Sequence, residues 1–442
     1  MCILFEEVYS FYYLCSEETS NFTSRMSFKE SIYIRNVGPI RELRIDDIRP
    51  LTVLIGASAT GKSTLMKVLA LMRYIYKMEN IRSYLLNSAI SRSPFNLGFK
   101  NLLKDGLKTV ISKNSEIEYI AYHSGAHYTI RYKGGKLQNK FRIENKHLRF
   151  FKEAYVVEER GAMPVFLSGR STGRNDLGFY FNDTLADLQD ALNVTPNLDL
   201  KHLGFRLTAK KAGNNRMRYL VSNSSENEAP EIELKYASSG IQTSTPIVSL
   251  LQYFAQGFSF AGALRRSILS YLFDSDRLIE FQPTMELMEL PLHVHLYIEE
   301  PELNLFPTAQ CALLNLAVEE AFVNKKADRE MSLMIATHSP YIANYINVLL
   351  RKSRLGKIGL KEEDFAVYLL VDGKAISLIG EDEDTHERVV DTFPLTEAME
   401  EIYNEYVSLG DHVGENEDTE EGTVDGSHGD IYNDYVTIEE HE

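Results

Sequence analysis

The run Gly56-Ala57-Ser58-Ala59-Thr60-Gly61-Lys62-Ser63 has the glycine, lysine and hydroxyl spacing of a loop that holds phosphate. Phosphate oxygens need several donors close together. Glycines let the backbone curl until successive N–H groups point inward. A helix starting after Gly61 adds its N-terminal N–H groups and the positive end of its dipole, and Thr64 belongs to the same binding set. The ammonium of Lys62 suits the β- and γ-phosphates, and the hydroxyl of Ser63 suits Mg2+. The expected chemistry is capture of a nucleoside triphosphate with its metal.

Three further clusters gain meaning beside that loop. In Leu296-Tyr297-Ile298-Glu299-Glu300-Pro301-Glu302 an apolar strand ends in adjacent carboxylates. Glu299, as the last strand residue, is placed to hold the metal, and Glu300 to polarise an attacking water. Alone, such an acidic run reads as a solvated loop. In Ile335-Ala336-Thr337-His338-Ser339-Pro340 a second apolar strand ends at a histidine, whose two ring nitrogens can bridge phosphate, water and carboxylate. Alone, His338 reads as an ordinary surface or core residue. Finally, Ala237-Ser238-Ser239-Gly240-Ile241-Gln242 sets a small turn before a helix containing Ile247 and Leu250, which makes Ser238, Ser239 and Gly240 a second anion-binding candidate. Ser-Ser-Gly is common in loops, so its weight comes from its place between the other motifs.

The elements that must position these residues can be read from periodicity. Ser31 to Arg35 is a strand running into the turn Asn36-Val37-Gly38-Pro39, and a second strand is expected at about Leu43 to Ile45. Leu51 to Ile55 is a short apolar run of the buried-strand kind. After Gly61, Leu65, Val68, Leu69, Met72 and Ile75 have helical spacing. Ile117 to Tyr132 and Arg216 to Leu234 alternate like antiparallel strands, with Gly134-Gly135 as a turn. Leu148 to Val156 reads as a helix followed by a strand. Val294 to Ile298 and Met331 to Ala336 are buried strands flanking a helix over Thr308 to Phe322, the rhythm of a parallel α/β layer. There is no internal repeat and no long heptad array. The expected organisation is an N-terminal extension over 1–26, a head over 27–410 with a variable middle at about 76–235, and an acidic, disordered tail over 411–442. Met26-Ser27-Phe28, just before the first strand, makes Met26 a candidate start.

Bulk properties narrow the partners. The 442 residues are 44% hydrophobic and 25% charged, ordinary for a water-soluble globular chain. The formal net charge of −16 argues against a surface that grips nucleic acid broadly. Twelve of the acidic residues lie between Asp411 and Glu442, so the remainder carries only −4 and a local basic groove stays open. Cys2, Cys15 and Cys311 are too few and scattered for a disulfide framework or zinc site, and a cytoplasmic setting is expected. The first residues are apolar but hold Glu6 and Glu7 and lack a basic leader, a poor signal peptide. Tyr236 to Leu264 is free of charge, yet its glutamines, glycines and hydroxyls suit a buried helix better than a membrane span.

The four motifs, in this order, resemble the ABC-type ATPases and, within them, SMC-like heads. Ser238-Ser239-Gly240 is similar to the signature motif. Glu299-Glu300-Pro301-Glu302, continuing through Leu303-Asn304-Leu305-Phe306-Pro307, resembles the RecF- and OLD-like branch, as do Thr337-His338-Ser339-Pro340, Asn36-Val37-Gly38-Pro39-Ile40 and Glu159-Arg160. The resemblance spans about Ser31 to Tyr406, with motifs covering a small part of it. It implies an α/β P-loop NTPase fold of the ABC-head type: a mixed sheet, an antiparallel β subdomain and a helical signature lobe. It implies ATP and Mg2+, hydrolysis driven by Glu300 and His338, and a homodimer in which Ser238 and Gly240 of one copy act on the ATP held by Lys62 of the other. Stand-alone heads of this branch are frequent in bacterial anti-phage systems such as PARIS and Septu, which implies a separate effector protein. RecF-like DNA repair or chromosome maintenance is the alternative; it would bring DNA as a partner, which the acidic balance disfavours. A transporter subunit is disfavoured by Glu-Glu-Pro-Glu and by the missing Q-loop glutamine, for which Gln138 fits poorly. A GTPase would need Asn324-Lys325-Lys326-Ala327-Asp328 as its base-reading loop, which is one residue too long. No nuclease or toxin signature accompanies the motifs. Departures from the family pattern are Glu299 in place of Asp and Ser239 in place of a signature glycine.

Overall fold

The computed structural model describes residues 28–90, 98–169, 177–213, 216–225, 230–259 and 290–414. The expectations for residues 1–26, for Cys2 and Cys15, and for the tail beyond Gly414 lie outside the described residues. Two units are distinguished, one ending at Thr392 and one beginning at Phe393.

The first unit runs β1 (Lys29–Val37), β2 (Ile40–Ile45), β3 (Leu51–Ile55) and α1 (Lys62–Asn87), then β4 (Glu116–His123), β5 (Ala126–Lys133) and β6 (Lys136–Gln138). It continues with β7 (Phe150–Val156), α2 (Phe179–Val194), β8 (Asn197–Leu200), β9 (Phe205–Ala212), β10 (Arg216–Asn223), β11 (Ile232–Glu233) and α3 (Ser239–Gln252). After these come β12 (Leu292–Glu299), α4 (Pro307–Val318), β13 (Arg329–Thr337), α5 (Pro340–Arg354), β14 (Phe365–Val371), β15 (Lys374–Ser377), β16 (Ile379–Glu381) and β17 (Arg388–Val390).

The central sheet has the order β15-β14-β3-β13-β12-β7, parallel except for β15. All of β3 is buried, as an apolar run covered on both faces should be. An antiparallel sheet, β2-β1-β4-β5-β6, and a smaller one, β11-β10-β9-β8, complete the mixed α/β architecture expected from the sequence. A two-stranded sheet pairs β16 with β17, and the strands within residues 76–235 are divided among the other three sheets. The second unit is the helix α6 (Phe393–Gly414), which runs past the expected boundary at 410 and exposes Ile402, Tyr403 and Tyr406.

Local chemistry explains where expectation and structure part. β2 begins at Ile40 rather than Leu43 because Gly38, at φ 54°, closes so tight a turn that Val37 already pairs with Ile40. The stretch from Leu148 to Val156 holds no helix ahead of β7. Asn145–His147 form a single 3-10 turn, and Phe150 enters the sheet against Leu292. The uncharged stretch from Tyr236 folds as α3, whose side chains are mostly buried; residues 260–264 lie outside the described residues. Among the described residues no helix is long and apolar enough to cross a membrane.

One buried polar cluster joins the two larger sheets through α1. Arg73 of α1 pairs with Glu30 of β1 at 2.6 Å and donates to the Tyr297 hydroxyl of β12 at 2.9 Å. The Tyr119 hydroxyl of β4 donates to the same Glu30. Burial alone would raise the Glu30 carboxyl, but the charge and hydrogen bonds of Arg73 and the Tyr119 bond hold it below the ordinary value. The helix that follows the phosphate loop is thereby tied to both sheets.

Candidate nucleotide site

Register brings the motifs together. Ile55 pairs with Thr337, Glu299 with Ala336, and Ile298 with Val156, so β3, β13, β12 and β7 end on one edge of the sheet. Ligands of open α/β sheets sit beyond the carboxyl ends of the strands. There a single cleft is lined by Ser58, Ala59, Gly61, Lys62, Ser63 and Thr64 on one side and by Glu158, Glu299, Glu300 and His338 on the other.

The loop has the backbone its motif demands. Gly56, Ala59 and Gly61 take φ of 148°, 64° and 106°. A side chain at Gly56 would place its Cβ 2.5 Å from the Leu370 carbonyl, and one at Gly61 would come 3.0 Å from Ile40. Positive-φ residues of this kind allow a loop to turn its N–H groups inward as an anion nest. Ala57, Ser58 and Ala59 form the exposed crest. Lys62 folds beneath it and donates to the carbonyls of Gly56 at 2.8 Å and Ala57 at 2.9 Å. Burial lowers the Lys62 pKa, with the carboxylates of Glu300 and Glu302 acting against that trend.

The carboxylates are differentiated by their surroundings. Glu299 is 3% exposed, and one of its oxygens accepts from the Tyr155 hydroxyl at 2.8 Å. Glu300 is half-buried; it takes φ 43° and donates its N–H to the Ala336 carbonyl at 2.8 Å. Its Oε1 lies 3.5 Å from His338 Nε2. Glu302 does not line this cleft. Its Oε1 accepts the His338 backbone N–H at 2.6 Å, so it anchors the histidine turn. Ser339 caps α5 through Ile342 N–H, which fixes the same turn from the other side. Glu158, which the sequence did not single out, adds a third carboxylate to the cleft. Burial first, then Glu299 and Glu300, raise its pKa.

Ser238, Ser239 and Gly240 are not part of this lining. They open α3, where Ser238 and Ser239 are exposed and Gly240 is buried. The Gln242 amide donates to the carbonyls of Lys235 and Ala237 and shapes the turn. Gly240 is obligatory by contact, since a Cβ there would sit 2.8 Å from the Asn304 carbonyl. The first turn of α3 thus lies on the loop that follows Glu302, and Thr243 Oγ1 donates to the Leu303 carbonyl at 2.9 Å.

Arg160 gave only a motif likeness in the sequence. In the structure it is fully buried and donates to the carbonyls of Thr243, Val157, Glu299 and Glu300. Burial lowers its pKa to about 10, opposed by Glu302, Glu300, Glu299 and Glu158. Gln138 is exposed at the end of β6 and lies outside the cleft lining. Asn324 to Asp328 precede β13, at the opposite end of that strand from the phosphate loop, so they cannot read a base held there.

No family model and no curated protein matches this chain. Among solved structures it is similar to the SMC head domain from Thermotoga maritima, at 11% identity and TM-score 0.33 over 80% of this chain and 99% of that one. It is similar to the recombination mediator protein RecF, at 11% identity and TM-score 0.29 over 80% and 98%. It is also similar to an ATP-binding cassette solved as a dimer in a post-hydrolysis state with ADP and phosphate, at 10% identity and TM-score 0.26 over 78% and 96%.

Proposed function

We propose that this chain is an ABC-type, SMC-like ATPase whose heads pair around ATP and whose ATP state controls a separate effector protein, as in anti-phage systems. The observation that carries the ATPase reading is the convergence of Lys62, Ser63, Glu299, Glu300 and His338 on one cleft at the carboxyl edge of the sheet. The residues fit a magnesium nucleotide. Gly56 and Gly61 pack so closely against the Leu370 carbonyl and Ile40 that the loop must be built from glycine there, and the Ser63 hydroxyl with the Glu299 carboxylate offers the hard oxygen donors that Mg2+ prefers. Bound Mg2+ would supply charge neutralisation of the phosphates.

In this reading Lys62 and the loop N–H groups bind phosphate. Tyr155 donates to one oxygen of Glu299 and so orients a carboxylate that lines the cleft. Glu300, beside His338, takes the proton of the attacking water. Ser238 and Gly240, placed away from their own cleft, serve the nucleotide of a second copy. The effector-control reading rests on the likeness of the Glu299 to Pro307 stretch to stand-alone heads and on the absence of any destructive motif in the sequence.

The test is affinity purification of tagged protein with its neighbouring gene products, comparing wild type with Lys62→Ala and Glu300→Gln, each sized in ATP. Co-purification of a second chain, held or released according to ATP state, supports effector control. A protein that comes alone and hydrolyses ATP faster with DNA is instead a RecF-like repair ATPase.

A further inference from the structure

Arg160 joins two elements that the ATPase reading requires to communicate. Its Nε donates to the Thr243 carbonyl at 2.9 Å, one turn into α3. Its Nη1 donates to the Glu299 carbonyl at 2.6 Å and the Val157 carbonyl at 3.1 Å, and its Nη2 to the Glu300 carbonyl at 2.5 Å. Among the described residues no carboxylate pairs with this buried guanidinium, so its directional bonds go to backbone oxygens on both sides. A guanidinium is a rigid planar fork, which fixes the angles between the carbonyls it grips. A shift of α3 therefore redirects the bonds at Glu299 and Glu300.

The far end of this strut is a residue that needs holding. Glu300 takes φ 43°, a left-handed conformation unfavourable for a side chain of that size, and such conformations persist where surrounding bonds over-determine them. Arg160 on its carbonyl and Ala336 on its N–H are those bonds. The near end is equally tight. Gly161 would place a Cβ 3.3 Å from Thr243 Cγ2, and Gly240 has no room for one against Asn304.

We infer that Arg160 is a positioning residue that couples the Ser238–Gly240 turn to the Glu300 turn of the same chain, so that hydrolysis in one copy depends on its own turn engaging the nucleotide of the other. This rests on the paired-head reading above.

The experiment measures three quantities in wild type, Arg160→Gln and Arg160→Lys: ATP affinity, pairing in ATP by sizing, and hydrolysis per protomer against protein concentration. Wild type should hydrolyse faster per protomer as concentration rises. Arg160→Gln should keep ATP affinity and pairing, lose kcat by about a hundredfold, the order expected for a misplaced reacting group, and lose the concentration dependence. Arg160→Lys should recover part of the rate, since it restores charge and donors without the planar fork. Should Arg160→Gln fail to fold, Gly161→Ala replaces it: the strut stays, but the added methyl presses on Thr243, and the same split between kcat and affinity is expected.

Hydrolysis within about threefold of wild type, with unchanged concentration dependence, overturns the coupling. So does a parallel fall in affinity, pairing and kcat, which marks a structural role only. Absence of concentration dependence in wild type would instead remove the paired-head reading and the coupling with it.

Discussion

His338 Nε2 stands 3.5 Å from Glu300 Oε1, although the two residues belong to turns that follow different strands. The parallel register of β12 and β13, with Glu299 opposite Ala336, carries both turns to one edge of the sheet. Each side chain is about one-third exposed, at 34% and 30%, so the pair faces water while its backbone is held by Glu302 and Arg160. An imidazole set between a carboxylate and an open cleft can take or relay a proton.

Replacing Glu300 by Gln keeps the size of the side chain and removes its basicity. The expected result is a loss of kcat of about 10²- to 10⁴-fold with ATP affinity little changed. His338→Ala should cost less, because Glu302 holds the backbone at that position through its N–H rather than through the ring. Steady-state hydrolysis beside equilibrium ATP binding checks both. A Glu300→Gln protein that hydrolyses at the wild-type rate would remove Glu300 from the chemistry.

Lys62→Ala should abolish stabilisation by nucleotide. A ligand at a hundred times its Kd adds about 2.7 kcal/mol to a folded protein, and the variant should gain only a small fraction of that. Without nucleotide the two proteins should melt at similar temperatures. Among the described residues the Lys62 ammonium donates to the carbonyls of Gly56 and Ala57, and burial already depresses its pKa. Thermal melts with and without Mg-ATP decide it.

The parts of this site that were legible in the sequence are those where one local pattern states the chemistry. Gly56 to Ser63 did so through spacing, and Glu299 and His338 through the end of an apolar run. Three strands of the central sheet, β3, β12 and β13, followed from the same runs, whereas β14 and β15 did not. Arg160, Tyr155 and Glu158 were not legible as site residues because their roles come from register. β7 lies beside β12 only through pairings such as Ile298 with Val156, and nothing near Tyr155 in sequence announces Glu299. The extent of β2 was missed because it depends on a left-handed φ at Gly38.

The buried pair of Arg73 and Glu30 should behave as a unit. Arg73→Met leaves Glu30 buried without its countercharge and should cost about 3–5 kcal/mol. Adding Glu30→Gln removes that stranded charge and should recover part of the loss. The depressed Glu30 pKa also carries a sign: its stabilisation is complete above the unfolded carboxyl value and is lost as pH falls through the lower folded value. Urea melts of the single and double variants at neutral pH, with a wild-type series below pH 4.5, test both statements.

Glu79 gives the opposite sign in a window nearer neutrality. Burial raises its pKa from 4.5 to about 7, with Arg82 and Asn139 acting against that rise. Between those values the folded chain holds a proton that the unfolded chain has released, so stability falls as pH rises through the window and is level above it. At about 1.4 kcal/mol per pKa unit, the cost reaches about 3 kcal/mol. Gln at this position keeps an acceptor for Asn139, whose amide donates to Glu79 Oε1 at 2.7 Å, and never ionises. Glu79→Gln should therefore match wild type at pH 5 and exceed it by about 2–3 kcal/mol at pH 8. Glu153 and Asp187, also raised, to about 8 and about 6, are present in both proteins and cancel in the difference. Denaturant melts at the two pH values measure that difference directly. A variant less stable than wild type at pH 8 would mean that the ion pair with Arg82, at 3.6 Å, outweighs the burial of the charge.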